Sequence, residues 1–146
     1  MKFVYNDGGR AAAGFKGDAG DCVCRAIAIV AGKPYAEVYA RLSAINANAR
    51  VTRRGGSAGH RSARNGVATK RIGFKRYAES LGLVWTPTMQ IGSGCKFHLR
   101  DGELPIGRLV VAVSKHFVAV IDGVIHDTHD CSRDGTRCVY GYWELP

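Results

Sequence analysis

Residues 116–127 read His-Phe-Val-Ala-Val-Ile-Asp-Gly-Val-Ile-His-Asp. Asp122-Gly123 between two apolar runs is the signature of a two-residue β-hairpin turn, and it predicts strands over 116–121 and 124–127. Such a turn pairs Ile121 with Val124, Val120 with Ile125, Ala119 with His126 and Val118 with Asp127. Side chains alternate across a strand, so His116 shares a face with Val118 and lies diagonally beside Asp127, within reach of a carboxylate-to-imidazole hydrogen bond. His129 would stand opposite His116 if the ladder continued, whereas His126 faces the other way. His126 and His129 are therefore read as surface residues.

Working outward, Arg108 to Val113 is a β-branched run that supplies a neighbouring strand. Leu83 to Thr86 is a short strand, and Cys138 to Trp143 is a closing one. The first half of the chain is helical instead. From Cys22, the run Cys-Val-Cys-Arg-Ala-Ile-Ala-Ile-Val-Ala is apolar and stops at Gly32-Lys33-Pro34, as a buried helix does when Gly follows its end. Asp21 is the natural N-cap, which puts Cys22 in the first turn. Pro34 opens a second helix, with Tyr35, Val38, Tyr39, Leu42 and Ile45 at helical spacing and Glu37 near the positive end. The two helices are expected to form an α-hairpin. A third helix, from about Thr69 to Gly82, carries Ile72, Phe74, Tyr77 and Leu81, with Phe74 and Tyr77 read as core. Residues 1–21 start with a short apolar-alternating piece and then read as an irregular, Gly-rich lead-in. Helices first and strands afterwards imply an α+β fold. At 146 residues the chain suits one domain over residues 1–146.

Charge is unevenly spread. The formal net charge is 21 − 12 = +9, and between Asn46 and Ala78 there are nine Lys or Arg residues and no Asp or Glu. Residues 47–66 read as a flexible basic loop. Arg50, Arg53, Arg54, Arg61, Arg64, Lys70 and Arg71 are candidates for binding an anion, in an acidic protein or substrate or in nucleic acid. No apolar stretch approaches the ~18 residues of a membrane span, and the N-terminus has no signal-peptide run. A cytoplasmic protein without a membrane partner is expected. The five cysteines are an odd number, which favours free thiols over a disulfide framework.

Free thiols direct attention to chemistry. At the start of a helix, Cys22 is favoured as thiolate by the helix dipole and the unpaired N–H groups, and a neighbouring imidazolium lowers its pKa further. A carboxylate such as Asp127 on that imidazole fixes its tautomer and stabilises its cation. The Cys22 N–H would help hold an oxyanion, with a second donor from Asn6, Lys16 or the backbone of Asp18. Cys24 lies about 200° around the helix from Cys22 and is read as core or as a secondary thiol. One rival is a zinc site drawn from Cys22, Cys24, Cys95, His98, Cys131 and Cys138, although no Cys-x-x-Cys is present and Cys131 and Cys138 flank what reads as a hairpin turn. Another is a basic binding module, with the Arg-rich loop and third helix on a phosphate backbone.

Asp21-Cys22-Val23-Cys24-Arg25-Ala26-Ile27, followed by Lys115-His116-Phe117-Val118-Ala119-Val120 and Ile125-His126-Asp127, resembles the papain-like cysteine peptidase superfamily. The likeness is to its compact bacterial branches, such as bacteriocin-leader peptidase domains and cell-wall amidases, and to small phage proteins with an Asp-Cys-x-x-Arg-Ala opening. It implies a papain-like fold, in which a nucleophile helix and helical subdomain pack on a small antiparallel sheet. It also implies Cys22 as nucleophile, His116 as general base and Asp127 as orienting residue, acting on a peptide or protein substrate without a cofactor, in the host cytoplasm if phage-encoded. No Gln stands before Cys22 as the usual oxyanion donor, and Val rather than Gly follows it.

Overall fold

In the computed structural model, which describes residues 1–17, 19–52 and 56–146, Asp122 and Gly123 have positive φ, 48° and 78°. That backbone matches the twist of the flanking strands, and Asp-Gly adopts it at low cost. In chain order the elements are β1 (Lys2–Tyr5), α1 (Cys22–Ala31), α2 (Tyr35–Asn48), α3 (Ile72–Ser80), β2 (Val84–Pro87), β3 (Arg108–Val113), β4 (His116–Ile121), β5 (Val124–Asp127) and β6 (Val139–Leu145). Ile121 pairs with Val124, Val120 with Ile125 and Ala119 with His126, as the turn predicts, and the β4–β5 ladder ends there. The strands form one open sheet in the order β1-β5-β4-β3-β6-β2. Neighbours are antiparallel except β1 and β5, which run parallel. The fold is α+β with a mixed sheet.

Four local readings need correction. The lead-in contains β1, and the Asn6 N–H extends its pairing to the Asp127 carbonyl at 2.9 Å. A four-residue edge strand whose partner lies at the far end of the chain leaves little local pattern. The third helix starts at Ile72 rather than near Thr69, because the Thr69 and Arg71 N–H groups close tight turns onto Val67 and Ala68. Cys131 and Cys138 do not flank a strand hairpin. They enclose a turn closed by the Gly135 and Arg137 N–H groups on the Ser132 carbonyl, both at 3.1 Å. Finally, the cysteines are not all free. Cys95 and Cys138 form a disulfide with Cα atoms 5.9 Å apart, leaving Cys22, Cys24 and Cys131 as thiols. An odd count requires one unpaired cysteine and does not forbid a pair elsewhere.

β3 and β4 are continuous apolar runs because both faces of the sheet are covered. On one face Val110, Ala119 and Trp143 pack against Ile27 and Val30 of α1, Leu42 of α2 and Phe74 of α3. On the other, Leu109, Val111, Val118 and Ile125 pack beneath Leu99 and Cys131. α1 ends at Gly32, whose φ of 65° is the left-handed cap that glycine supplies without steric cost. Arg108 closes the same end, donating from Nε to the Val30 carbonyl at 2.8 Å and from Nη2 to Ile29 at 2.7 Å. This places a cation on the negative pole of the helix.

The segment read as a basic loop begins inside α2, which runs to Asn48, and its described part is organised by one buried side chain. Asn46 Nδ2 donates to the carbonyls of Ser62 and Gly66 at 3.0 and 2.9 Å, and its Oδ1 accepts from the Ala68 N–H at 2.9 Å. Ala58, Ala63 and Ala68 are buried around it. Asn46→Ala orphans all three backbone groups, so it should cost about 2–4 kcal/mol in urea unfolding. A change below about 0.5 kcal/mol would show that the segment is not held through Asn46.

Candidate active site

Cys22 is the first residue of α1, and Asp21 stands at the N-cap, but Asp21 makes no side-chain cap. Its carboxylate instead accepts from the Arg25 guanidinium and the Tyr35 hydroxyl, and Arg10 Nε lies 3.2 Å away. Arg25 sits one turn along the helix and reaches across with Nη2 to Asp127 Oδ1 at 3.3 Å. Asp21, Arg25 and Asp127 are all buried. A single buried cation is therefore shared by the carboxylates that end β5 and begin α1. Asp127 Oδ1 also accepts the Thr128 N–H at 2.7 Å, and its Oδ2 lies 2.7 Å from His116 Nε2. With Nε2 committed to Asp127, Nδ1 is the ring nitrogen left for a reacting partner.

By strand alternation His116 and Asp127 belong to the sheet face of Val118 and Ile125, while Cys22 comes from the α1 side. They meet over the end of the sheet. Burial by itself would raise the Cys22 thiol, but the His116 hydrogen bond and charge, the Phe117 N–H and the Arg25 charge outweigh it, and the pKa lies below its usual 9.0. Burial would likewise lower His116. Hydrogen bonds to Asp127, Cys131 and Cys22 reverse this and raise it to about 11. Burial opposes ionisation of Asp127 too, yet His116, the Thr128 N–H and Arg25 hold its carboxyl low. All three shifts describe one state, thiolate beside imidazolium beside carboxylate. Cys24 is the contrast. It is fully buried against the Tyr35 carbonyl at 3.8 Å, and burial pushes its thiol up to about 12.

The structure thus brings Cys22, His116 and Asp127 together, and it adds Asp21, Arg25 and Cys131. The i, i+4 spacing of Asp21 and Arg25 is legible in the sequence; the reach of Arg25 to Asp127 and the approach of Cys131 are not. Of the candidate oxyanion donors, Asn6 is engaged elsewhere, with Oδ1 accepting the Gly8 N–H at 2.9 Å and Nδ2 3.5 Å from His126 Nδ1. The Lys16 carbonyl accepts from Arg10 and Arg64, and Asp18 lies outside the described residues. His126 is half-buried, while His129 is exposed with its ring centroid 5.3 Å from that of His116.

The anion-binding candidates divide. Arg50, Lys70 and Arg71 line one groove, whereas Arg64 turns to the lead-in and Arg61 is exposed apart from the groove. Arg53 and Arg54 lie outside the described residues. The six-residue zinc set does not assemble, since Cys95 and Cys138 are joined to each other, Cys24 faces Tyr35 and His98 pairs with Glu103 at 3.3 Å. Ligand atoms of His116, Asp127 and Cys131 do fall within 4.8 Å of one another. The Arg25 cation already on Asp127 opposes a dication there.

Comparisons with family models, with curated proteins and with solved structures find no match for this chain. Among the described residues, no helix is long and apolar enough to cross a membrane.

Two measurements check the charge state. Site-resolved iodoacetamide labelling should show Cys22 reacting half-maximally below pH 9, with Cys24 silent, and His116→Ala should move the Cys22 profile upward. Equal profiles in the two proteins would show that no imidazolium activates the thiol. The second concerns stability. The folded pKa of His116, about 11, lies above its unfolded value of 6.5. Its interactions therefore stabilise the fold fully below pH 6.5 and are lost as pH rises towards 11. The lowered Cys22 thiol contributes with the opposite sign, so the comparison belongs in Cys22→Ala. There the urea midpoint should fall as pH rises above about 6.5, over a narrower range than in the intact site because Cys22 no longer helps raise His116, and adding His116→Gln should flatten that fall.

Proposed function

We propose that this protein is a papain-like cysteine hydrolase acting on an amide carbonyl in a peptide or protein substrate. The observation that carries the reading is the 2.7 Å contact of His116 Nε2 with Asp127 Oδ2 beside a thiol whose pKa is lowered at the start of α1. A carboxylate-held imidazole beside a helix-terminal thiol is the arrangement that nucleophilic acyl transfer requires.

In the proposed reaction the Cys22 thiolate attacks the carbonyl carbon and an S–C bond forms. The carbonyl π electrons move to oxygen, which the Cys22 N–H, unpaired at the head of the helix, is suited to hold. The oxyanion then collapses, the C–N bond breaks, and His116 gives its Nδ1 proton to the departing amine. Neutral His116 next takes a proton from water as the water oxygen attacks the thioester. The acid leaves, and thiolate and imidazolium are restored. Asp127 stays ionised throughout and keeps Nδ1 aimed at the sulfur.

An activated ester tests the chemistry without knowledge of the substrate. Exposure to p-nitrophenyl acetate should release a burst of nitrophenol and leave an acetyl group on Cys22, visible by mass spectrometry. Cys22→Ala should lose the burst while keeping its fold by circular dichroism. His116→Ala should slow acylation by about a hundredfold or more, and Asp127→Asn should slow it less. A burst that survives Cys22→Ala would overturn the proposal.

A further inference from the structure

A groove of about 620 Å3 opens between the end of α2 and the start of α3. Arg41, Arg50, Lys70 and Arg71 line it, together with the apolar side chains of Ile45 and Ile72. Ile72, the first residue of α3, is 62% exposed. Among the described residues none of the four cations pairs with a carboxylate. Arg41 lies 5.0 Å over the Tyr77 ring, and Arg71 donates to Thr52 Oγ1 at 2.7 Å. The acids nearest in sequence are Glu37, one turn before Arg41, and Glu79, near the far end of α3. Among the described residues, no acidic residue lines the groove itself.

We infer that this groove binds an acidic segment of a partner protein, with carboxylates against the four cations and an aliphatic side chain between Ile45 and Ile72. Charge complementarity calls for an anion, and the lining decides which kind. Single-stranded nucleic acid is gripped by aromatic platforms as well as by charge, but the nearby rings, Phe74 and Tyr77, are buried at 1% and 4% exposure. A duplex needs a long open basic face, whereas this volume falls in the range that holds a few residues. A peptide that carries both carboxylates and an aliphatic side chain matches a groove lined by both cations and isoleucines.

The groove is also tied to the segment that enters α1. Asn46, next to Ile45, holds the carbonyl of Gly66, and the neighbouring Asn65 accepts the N–H of Gly20 at 3.2 Å. Gly20 is two residues before Cys22. The inference does not depend on the thiol chemistry and is tested in protein lacking it.

Fluorescence anisotropy on full-length Cys22→Ala would compare a fluorescein-labelled peptide of Glu-Leu-Asp repeats, the same peptide with Gln and Asn for the acids, and a labelled oligodeoxythymidine of equal charge. The acidic peptide should bind at least about tenfold more tightly than its neutral counterpart and more tightly than the oligonucleotide. Arg50→Glu with Lys70→Glu should weaken it about tenfold. Lys33→Glu with Lys96→Glu, exposed residues away from the groove, makes the same change in net charge and should weaken it less than about threefold. Equal loss from the two pairs, no preference for the acidic over the neutral peptide, or tighter binding of the oligonucleotide would each overturn the inference. Because catalysis is absent from this assay, an acetylation burst at Cys22 without peptide binding, or the converse, separates failure of the groove from failure of the hydrolase reading.

Discussion

The arrangement depends on one buried guanidinium. Arg25 is 8% exposed and lies between Asp21, four residues before it in the chain, and Asp127, the last residue of β5. Taking a cation and two carboxylates out of water carries a desolvation cost that well-packed apolar residues would not. Stability alone does not explain the cluster. What it supplies is position: it fixes the first turn of α1 to the end of the hairpin and uses one oxygen of Asp127, leaving the other to His116. Arg25 thus adds a directional tie between Cys22's end of α1 and β5 to the apolar packing of the helix on the sheet.

The opposite end of the helix is held by the same logic. Arg108, at the start of β3, binds the last carbonyls of α1, so a ten-residue helix is fixed at both poles to a sheet whose strands are buried on both faces. β1 completes the frame. Tyr5 pairs with Asp127 and the Asn6 N–H reaches the Asp127 carbonyl, so the main chain of Asp127 is held from the edge side while its side chain is held from the core. The placing of Cys22, His116 and Asp127 is thus a property of regular elements and their ends, which are stiffer supports than loops.

What the sequence makes legible follows from the range of each signal. Asp122-Gly123 acts over a dozen residues, and the strands and register it implies hold through Ala119 and His126. α1, bounded by Asp21 and Gly32, is equally local. The losses are long-range or side-chain-specific. β1 finds its partner across the whole chain, and Cys95 and Cys138, 43 residues apart, are joined where an isolated bridge pairs His98 with Cys138. Asp21 has the sequence of a cap and the position of one, but Arg25 and Tyr35 compete for its carboxylate more strongly than the helix N–H groups do, since a charged or buried donor binds a carboxylate better than a solvated amide. Arg41 was invisible as a groove residue because helical spacing assigns it only an exposed face. The basic run from Asn46 to Ala78 proves divided, with some cations on the groove and Arg64 on the lead-in.

The charges at the site form a sequence of strictly alternating sign: Arg10, Asp21, Arg25, Asp127, His116 and Cys22, each beside a neighbour of opposite charge. With His116 protonated and Cys22 as thiolate the six sum to zero, so burial penalises the array far less than it would any member alone. The proposed reaction respects this balance. When the thiolate becomes a thioester it loses its negative charge, and the proton that His116 gives to the leaving amine removes a positive charge beside it. The remaining four, Arg10, Asp21, Arg25 and Asp127, stay paired and sum to zero, so no buried ion is stranded in the acyl-enzyme. A dication held by His116, Asp127 and Cys131 would break the alternation next to Arg25. Cys24 shows how much depends on a place in this array. Two residues along the same helix, without an imidazolium neighbour, the same thiol is driven by burial to the neutral form.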